Sequence, residues 1–160
     1  MTRREVQREH RQEAWQCPPK QGLSAVRYML DTNICIYLMR CNPPQVIRRF
    51  AVLDQGDVVM SAITLAELRF GALVSPQRAQ EDRALSGLLE DVHALPFDDA
   101  SALAYAQVRA AAPERRRDAL DRLIAAQAIA AECVLVTNNE ADFQHIPGLQ
   151  IENWVADAGV

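Results

Sequence analysis

From Arg27 onward the chain alternates short apolar runs, rich in β-branched residues, with longer stretches of helical periodicity. Parallel strands cannot be joined by a tight turn; they need a crossover, usually a helix. The alternation therefore predicts an α/β fold with a central, mainly parallel sheet flanked by helices. The strand-like runs are 28–30, 58–63, 93–97, 134–136 and 149–153. Helical patterns cover 34–40, 45–53, 65–73, 76–89, 100–111 and 118–132, with Pro43, Pro44, Pro76, Pro113 and Pro147 as breaks. Open parallel sheets bind ligands beyond the carboxyl ends of their strands, so the polar residues just after each run are the candidates for function.

Charge and cysteine content narrow the chemistry. Residues 1–28 carry six basic and three acidic side chains, whereas 29–160 carry eleven basic and eighteen acidic ones. A body this acidic argues against passive nucleic-acid binding. Of the seventeen basic residues only Lys20 is a lysine, so the cations are guanidinium forks suited to phosphate or carboxylate. Cys17, Cys35, Cys41 and Cys133 form no CxxC pair and no zinc spacing with His10, His93 or His145, and read as reduced thiols of a cytoplasmic protein. No apolar run approaches the roughly 20 residues of a membrane span.

The organisation expected is an N-terminal extension over 1–27, one domain over 28–156 and a short tail over 157–160. The extension lacks the apolar core of a secretory signal and is expected to be a mobile tail or short helix. Met29 stands directly before the first strand and could itself start translation.

Four strand or helix ends carry carboxylates. At the first, Asp31, Thr32 and Asn33 follow an apolar strand; helix capping needs only one of them, which leaves the others for chemistry. At the second, Thr64 and Glu67 have the spacing of a capping box, which by itself would explain Glu67; the alternative is that Glu67 reaches toward Asp31. At the third, Asp118 reads as an N-cap, and Asp121 follows on a helix so rich in Ala and Ile that an acid there wants a cation. The fourth, Thr137-Asn138-Asn139-Glu140-Ala141-Asp142, supplies hydroxyl, amide and carboxylate groups in a segment that also suits a plain loop. Acids at several ends of one sheet suggest a hard divalent cation such as Mg²⁺, which favours oxygen ligands and needs neither His nor Cys.

The order Leu-Asp31-Thr-Asn, Thr64-x-x-Glu67-Leu, Asp121-x-Leu-Ile-Ala-Ala and Val-Thr137-Asn-Asn-x-x-Asp142-Phe resembles that of PIN domains. More narrowly it is similar to the VapC toxins of bacterial toxin–antitoxin pairs, and to their subgroup of tRNA(fMet)-specific endonucleases. The likeness runs from Tyr28 to Trp154. It implies a three-layer PIN-like fold and a Mg²⁺-dependent endoribonuclease, with Mn²⁺ able to substitute, acting on RNA and on tRNA in particular. The family's acids fall on Asp31, Glu67 and Asp121, which would be catalytic and hold the metal. The fourth falls on Asn139, a departure that leaves Asp142 or Glu140 as substitutes. Thr32, Asn33, Thr137 and the run Arg115, Arg116 and Arg117 would meet the substrate, with Arg109 and Arg122 flanking. The resemblance further implies a homodimer and a cognate VapB-type antitoxin. Ile36, Tyr37, Leu38 and Met39 read as core or as antitoxin surface, and Trp154 as a packing anchor. The rival readings are a catalytically degraded PIN-like module that only binds RNA or protein, and a phosphatase with Asp31 as nucleophile.

Overall fold

A computed structural model of the chain describes residues 27–111 and 119–156. Residues 1–26, the C-terminal tail, Asp118 and Arg115 to Arg117 lie outside the described residues, whereas Arg27, expected in the extension, opens the first strand. The elements run β1 (Arg27–Leu30), α1 (Thr32–Arg40), α2 (Pro44–Ala51), β2 (Val58–Ser61), α3 (Ala62–Val74), α4 (Arg78–Leu89), β3 (His93–Leu95), α5 (Asp99–Ala111), α6 (Ala119–Ala130), β4 (Cys133–Val136), α7 (Glu140–Phe143) and β5 (Ile151–Glu152).

The five strands form one parallel sheet in the order β3-β2-β1-β4-β5. In register, Leu30 lies between Met60 and Val136, and Ser61 lies beside Leu95. The carboxyl ends of the strands are therefore level, and whatever follows them shares one edge. Side chains alternate along β1: Leu30 joins Ile34, Met60, Leu68, Val136 and Trp154 on one face, while Met29 joins Val59, Ile124, Leu135 and Phe143 on the other. Burial on both faces is why these strands read as continuous apolar runs. Helix α6 buries Ile124, Ala125, Ala126 and Ala128, as its small side chains allow close approach to the sheet.

Element ends depart from the sequence expectation for identifiable reasons. Strand β2 stops at Ser61, two residues before the expected end, since the Ser61 hydroxyl accepts the Ile63 N–H at 2.9 Å and caps α3, which begins at Ala62. Strand β3 stops at Leu95 because Pro96 has no N–H to continue the ladder. Helix α7 was not expected; a four-residue turn is too short to show periodicity. Trp154 is buried, edge-on to Tyr28 at 5.4 Å and covered by the Arg49 guanidinium at 5.8 Å, which makes it the anchor it was read as. Cys35, Cys41 and Cys133 are free thiols, and burial raises those of Cys35 and Cys133 above the ordinary range. Among the described residues no helix is long and apolar enough to cross a membrane.

Candidate active site

Asp31 stands where β1 ends and α1 begins, on the central strand of the sheet. Its N–H donates to Val136 O at 3.0 Å, which fixes it against β4. It caps α1, Oδ1 accepting the Thr32 N–H at 2.8 Å, so the capping function foreseen for this triplet is real. Its second oxygen is committed elsewhere: Oδ2 accepts the Thr137 hydroxyl at 2.9 Å. Asp31 is only 6% exposed. Burial pushes its carboxyl above the ordinary value; the bonds from Thr137 and Thr32 oppose the rise, and the charges of Glu67 and Asp142 add to it.

Glu67 meets this cluster through Thr32, whose hydroxyl donates to Glu67 Oε2. The capping box does not form. Because α3 begins at Ala62 with Ser61 as its cap, Thr64 lies inside the helix, where its buried hydroxyl has no hydrogen-bond partner. Glu67 is thereby released from capping and held over the sheet edge.

On the other side of Asp31, the Thr137 hydroxyl also accepts the Asn139 N–H at 3.0 Å, and the Asn139 side-chain amide donates to Asp142 Oδ2. Thr137, expected to touch substrate, is fully buried, with its hydroxyl engaged as donor and as acceptor. Asp142 is half-buried, and its charge is felt at Asp31; Glu140 is exposed. Asn138 donates to the Tyr37 hydroxyl at 3.1 Å.

Asp121 lies in the first turn of α6, half-buried and engaged with a neighbour. Its helix packs against α3, α5, β2, β4 and α7, and the charges felt at Asp31 are those of Glu67 and Asp142. Arg122 is 4% exposed, with Nε and Nη2 lacking partners, whereas Arg109 and Asn33 are exposed. Two residues that were given no role from the sequence, Ser61 and Gln127, are joined by a 2.7 Å hydrogen bond at the neighbouring ends of β2 and β3. The available signal was a polar amide within the Ala- and Ile-rich run 124–130.

Among the described residues no three His, Cys, Asp or Glu side chains form a ready-made metal cage. Mg²⁺ does not require one; it keeps several waters and takes one or two carboxylates. Asp31 fits that role, since mutual repulsion with Glu67 and Asp142 in a buried setting is relieved by a cation.

A level parallel sheet edge crowned by buried and half-buried acids defines an α/β protein with an anionic, oxygen-donor site. The PIN domain sequence profile matches residues 28–149, and the chain belongs to the PIN domain family. It is 34% identical over 131 residues to the tRNA(fMet)-specific endonuclease VapC of Shigella flexneri, covering 81% of this chain and 98% of that protein. It is 38% identical over 130 residues to the ribonuclease VapC1 of Haemophilus influenzae strain R2866, covering 79% and 97%. Among solved structures it is similar to VapBC2 from Rickettsia felis bound to a promoter DNA fragment, with TM-score 0.74, 32% identity, and coverage of 81% of this chain and 99% of that one. It is likewise similar to VapBC-1 from nontypeable Haemophilus influenzae, with TM-score 0.73, 36% identity, and coverage of 82% and 100%.

Proposed function

We propose that the chain is a VapC-type toxin: a divalent-metal-dependent endoribonuclease, acting on tRNA, dimeric, and held inactive by a cognate VapB-type antitoxin. The observation that carries this reading is the buried Asp31, linked through Thr32 to Glu67 and through Thr137 and Asn139 to Asp142. The names of the relatives, ribonucleases and tRNA(fMet)-specific endonucleases, supply the substrate class, and complexes such as those of VapBC supply the partner. On this reading the protein acts in the cytoplasm, where tRNA is found.

When bound, Mg²⁺ (or Mn²⁺) supplies Lewis acidity toward the scissile phosphate and the attacking water. Asp31 and Asp121 would hold it. Thr137 keeps the Asp31 carboxylate turned toward the edge, a positioning duty rather than substrate contact. Glu67 has Oε2 engaged by Thr32 and keeps Oε1 to take a proton from the attacking water or to assist in holding the cation. Asn139 contributes no charge; through its amide it sets Asp142, which we assign as the fourth acid. That assignment answers Asn139, the main support of the degraded-module reading, with an acid three residues on. Exposed Asn33 and the arginines at 115 to 117 would meet the RNA backbone, with guanidinium groups matching phosphate geometry.

Incubating the purified protein with total RNA in Mg²⁺ and then in EDTA, with the new ends mapped, tests the proposal. Discrete ends in tRNA that appear with Mg²⁺ and vanish with EDTA are expected. Intact RNA under both conditions overturns it.

A further inference from the structure

Along the same sheet edge, at the ends of β2 and β3, lies a second hydrogen-bonded cluster without a formal charge. Gln127, on α6, is 1% exposed. Its Nε2 donates to Leu95 O at 2.8 Å and to Pro96 O at 2.9 Å, and its Oε1 accepts the Ser61 hydroxyl at 2.7 Å. Two backbone carbonyls can only accept, so the amide nitrogen must face them and the orientation of the side chain is fixed. Ser61 is equally committed, donating to Gln127 and accepting the Ile63 N–H at the start of α3. One side chain thus ties α6 to the last residues of β2 and β3 and to the cap of α3.

Each of these contacts stands six residues from a site acid. Glu67 follows Ser61 by six along α3, and Asp121 precedes Gln127 by six along α6. Six helical residues span about 9 Å, less than two turns, so each helix segment acts as a short rigid arm. Rotation of either helix by about 20° would carry a side chain at its surface by roughly 2 Å. Displacements of about 1 Å at a reacting centre can cost about 100-fold in rate.

We infer that Gln127 is a positioning residue for the metal site, setting the placement of Glu67 and Asp121 together through Ser61 and the β3 carbonyls. The inference rests on the metal-nuclease reading above. It reaches a residue that touches neither cation nor RNA.

Gln127→Met keeps the length of the side chain and removes its donors and acceptor. The Mg²⁺ or Mn²⁺ dissociation constant by calorimetry, kcat and KM for RNA, and the melting temperature should be measured for wild type, Gln127→Met, Ser61→Ala and the double variant. Leu85→Ala, a core truncation in α4, serves as a control for destabilisation alone. Misplacing ligands by about 1 Å sets an expected scale of about 10–100-fold. The expected result is a loss of that size in metal affinity and kcat for Gln127→Met, a smaller one for Ser61→Ala, and a double variant no worse than Gln127→Met. KM stays within about 2-fold, and Leu85→Ala keeps wild-type metal affinity. Should Gln127→Met fail to fold, Ser61→Ala alone decides, through reduced metal affinity at 25 °C in folded protein. Unchanged metal affinity in folded variants, or an equal loss in Leu85→Ala, overturns the inference while leaving the nuclease reading intact. Wild-type protein that binds no divalent cation overturns both.

Discussion

Two clusters occupy the same sheet edge and are built on opposite terms. The one at β1 and β4 gathers carboxylates: Asp31 with Thr32, Glu67, Thr137, Asn139 and Asp142. The one at β2 and β3 gathers neutral groups, Ser61 and Gln127 with two backbone carbonyls, and every donor it contains is used. The neutral cluster is complete in itself and favours one arrangement of its helices. The acidic cluster is unbalanced: burial first, and then the like charges of Glu67 and Asp142, raise Asp31, which a bound cation would relieve. The proposed site thus falls where the fold is electrostatically unfavourable, next to the neutral cluster inferred to hold its geometry.

The sharpest way to break this contrast is to neutralise the acidic side without changing its shape. Asp31→Asn keeps an acceptor for the Thr32 N–H, and the Thr137 hydroxyl can turn to accept from the new amide. Cleavage should fall by at least about 10²–10³-fold, the scale set by losing one preorganised electrostatic group. The melting temperature without metal should hold or rise, because a buried charge has been removed. Full activity in this variant would end the metal reading.

Thr137→Val takes away the hydroxyl that orients Asp31 and leaves the Asn139 N–H without its acceptor. Activity should drop about 10–100-fold, and stability should fall by about 1–3 kcal/mol, as for a buried polar group left unpaired. Denaturant unfolding alongside RNA cleavage measures both. A variant as stable and active as wild type would show that Thr137 only fills space.

Asn139→Asp restores an acid where the family pattern has one and places it against Asp142. Several-fold tighter Mn²⁺ binding by calorimetry is expected, with a lower melting temperature in EDTA from the added repulsion. Weaker Mn²⁺ binding would show that the amide is the better partner for Asp142.

The smallest effect is in the pH dependence of stability. The folded-state pKa of Asp31 lies above its unfolded value, so the folded protein binds this proton more tightly. Without metal, the Asp31 contribution to stability is present below the unfolded pKa and is lost as pH rises through the folded one. A bound cation favours the ionised form and reverses the sign. Melting curves from pH 3.5 to 7, in EDTA and in Mg²⁺, should therefore differ in slope for wild type and agree more closely for Asp31→Asn. Identical slopes for wild type in the two conditions would show that no cation meets Asp31.

The parts of the molecule legible in the sequence are those with a repeating physical cause. Strands buried on both faces read as apolar runs, and α6 announced its burial through Ala and Ile. The position of Asp31 followed from the strand before it. What was not legible depends on which of two neighbouring hydroxyls the chain uses: Ser61 and Thr64 are both good caps, and the choice of Ser61 frees Glu67 from capping to accept from Thr32. Gln127 gave no periodic signal, since one amide among alanines suits a helix for ordinary reasons and its three partners come from distant segments.

The bond from Thr137 to Asp31 closes a span of 106 residues. Asp31 is synthesised early and Thr137 late, so a growing chain carries its principal acid long before the group that orients it exists. Contacts this distant in sequence also form slowly, because loop closure must precede them. A chain that ends before β4 therefore carries Asp31 without the hydroxyl that orients its carboxylate and without the strand that pairs with the far side of β1.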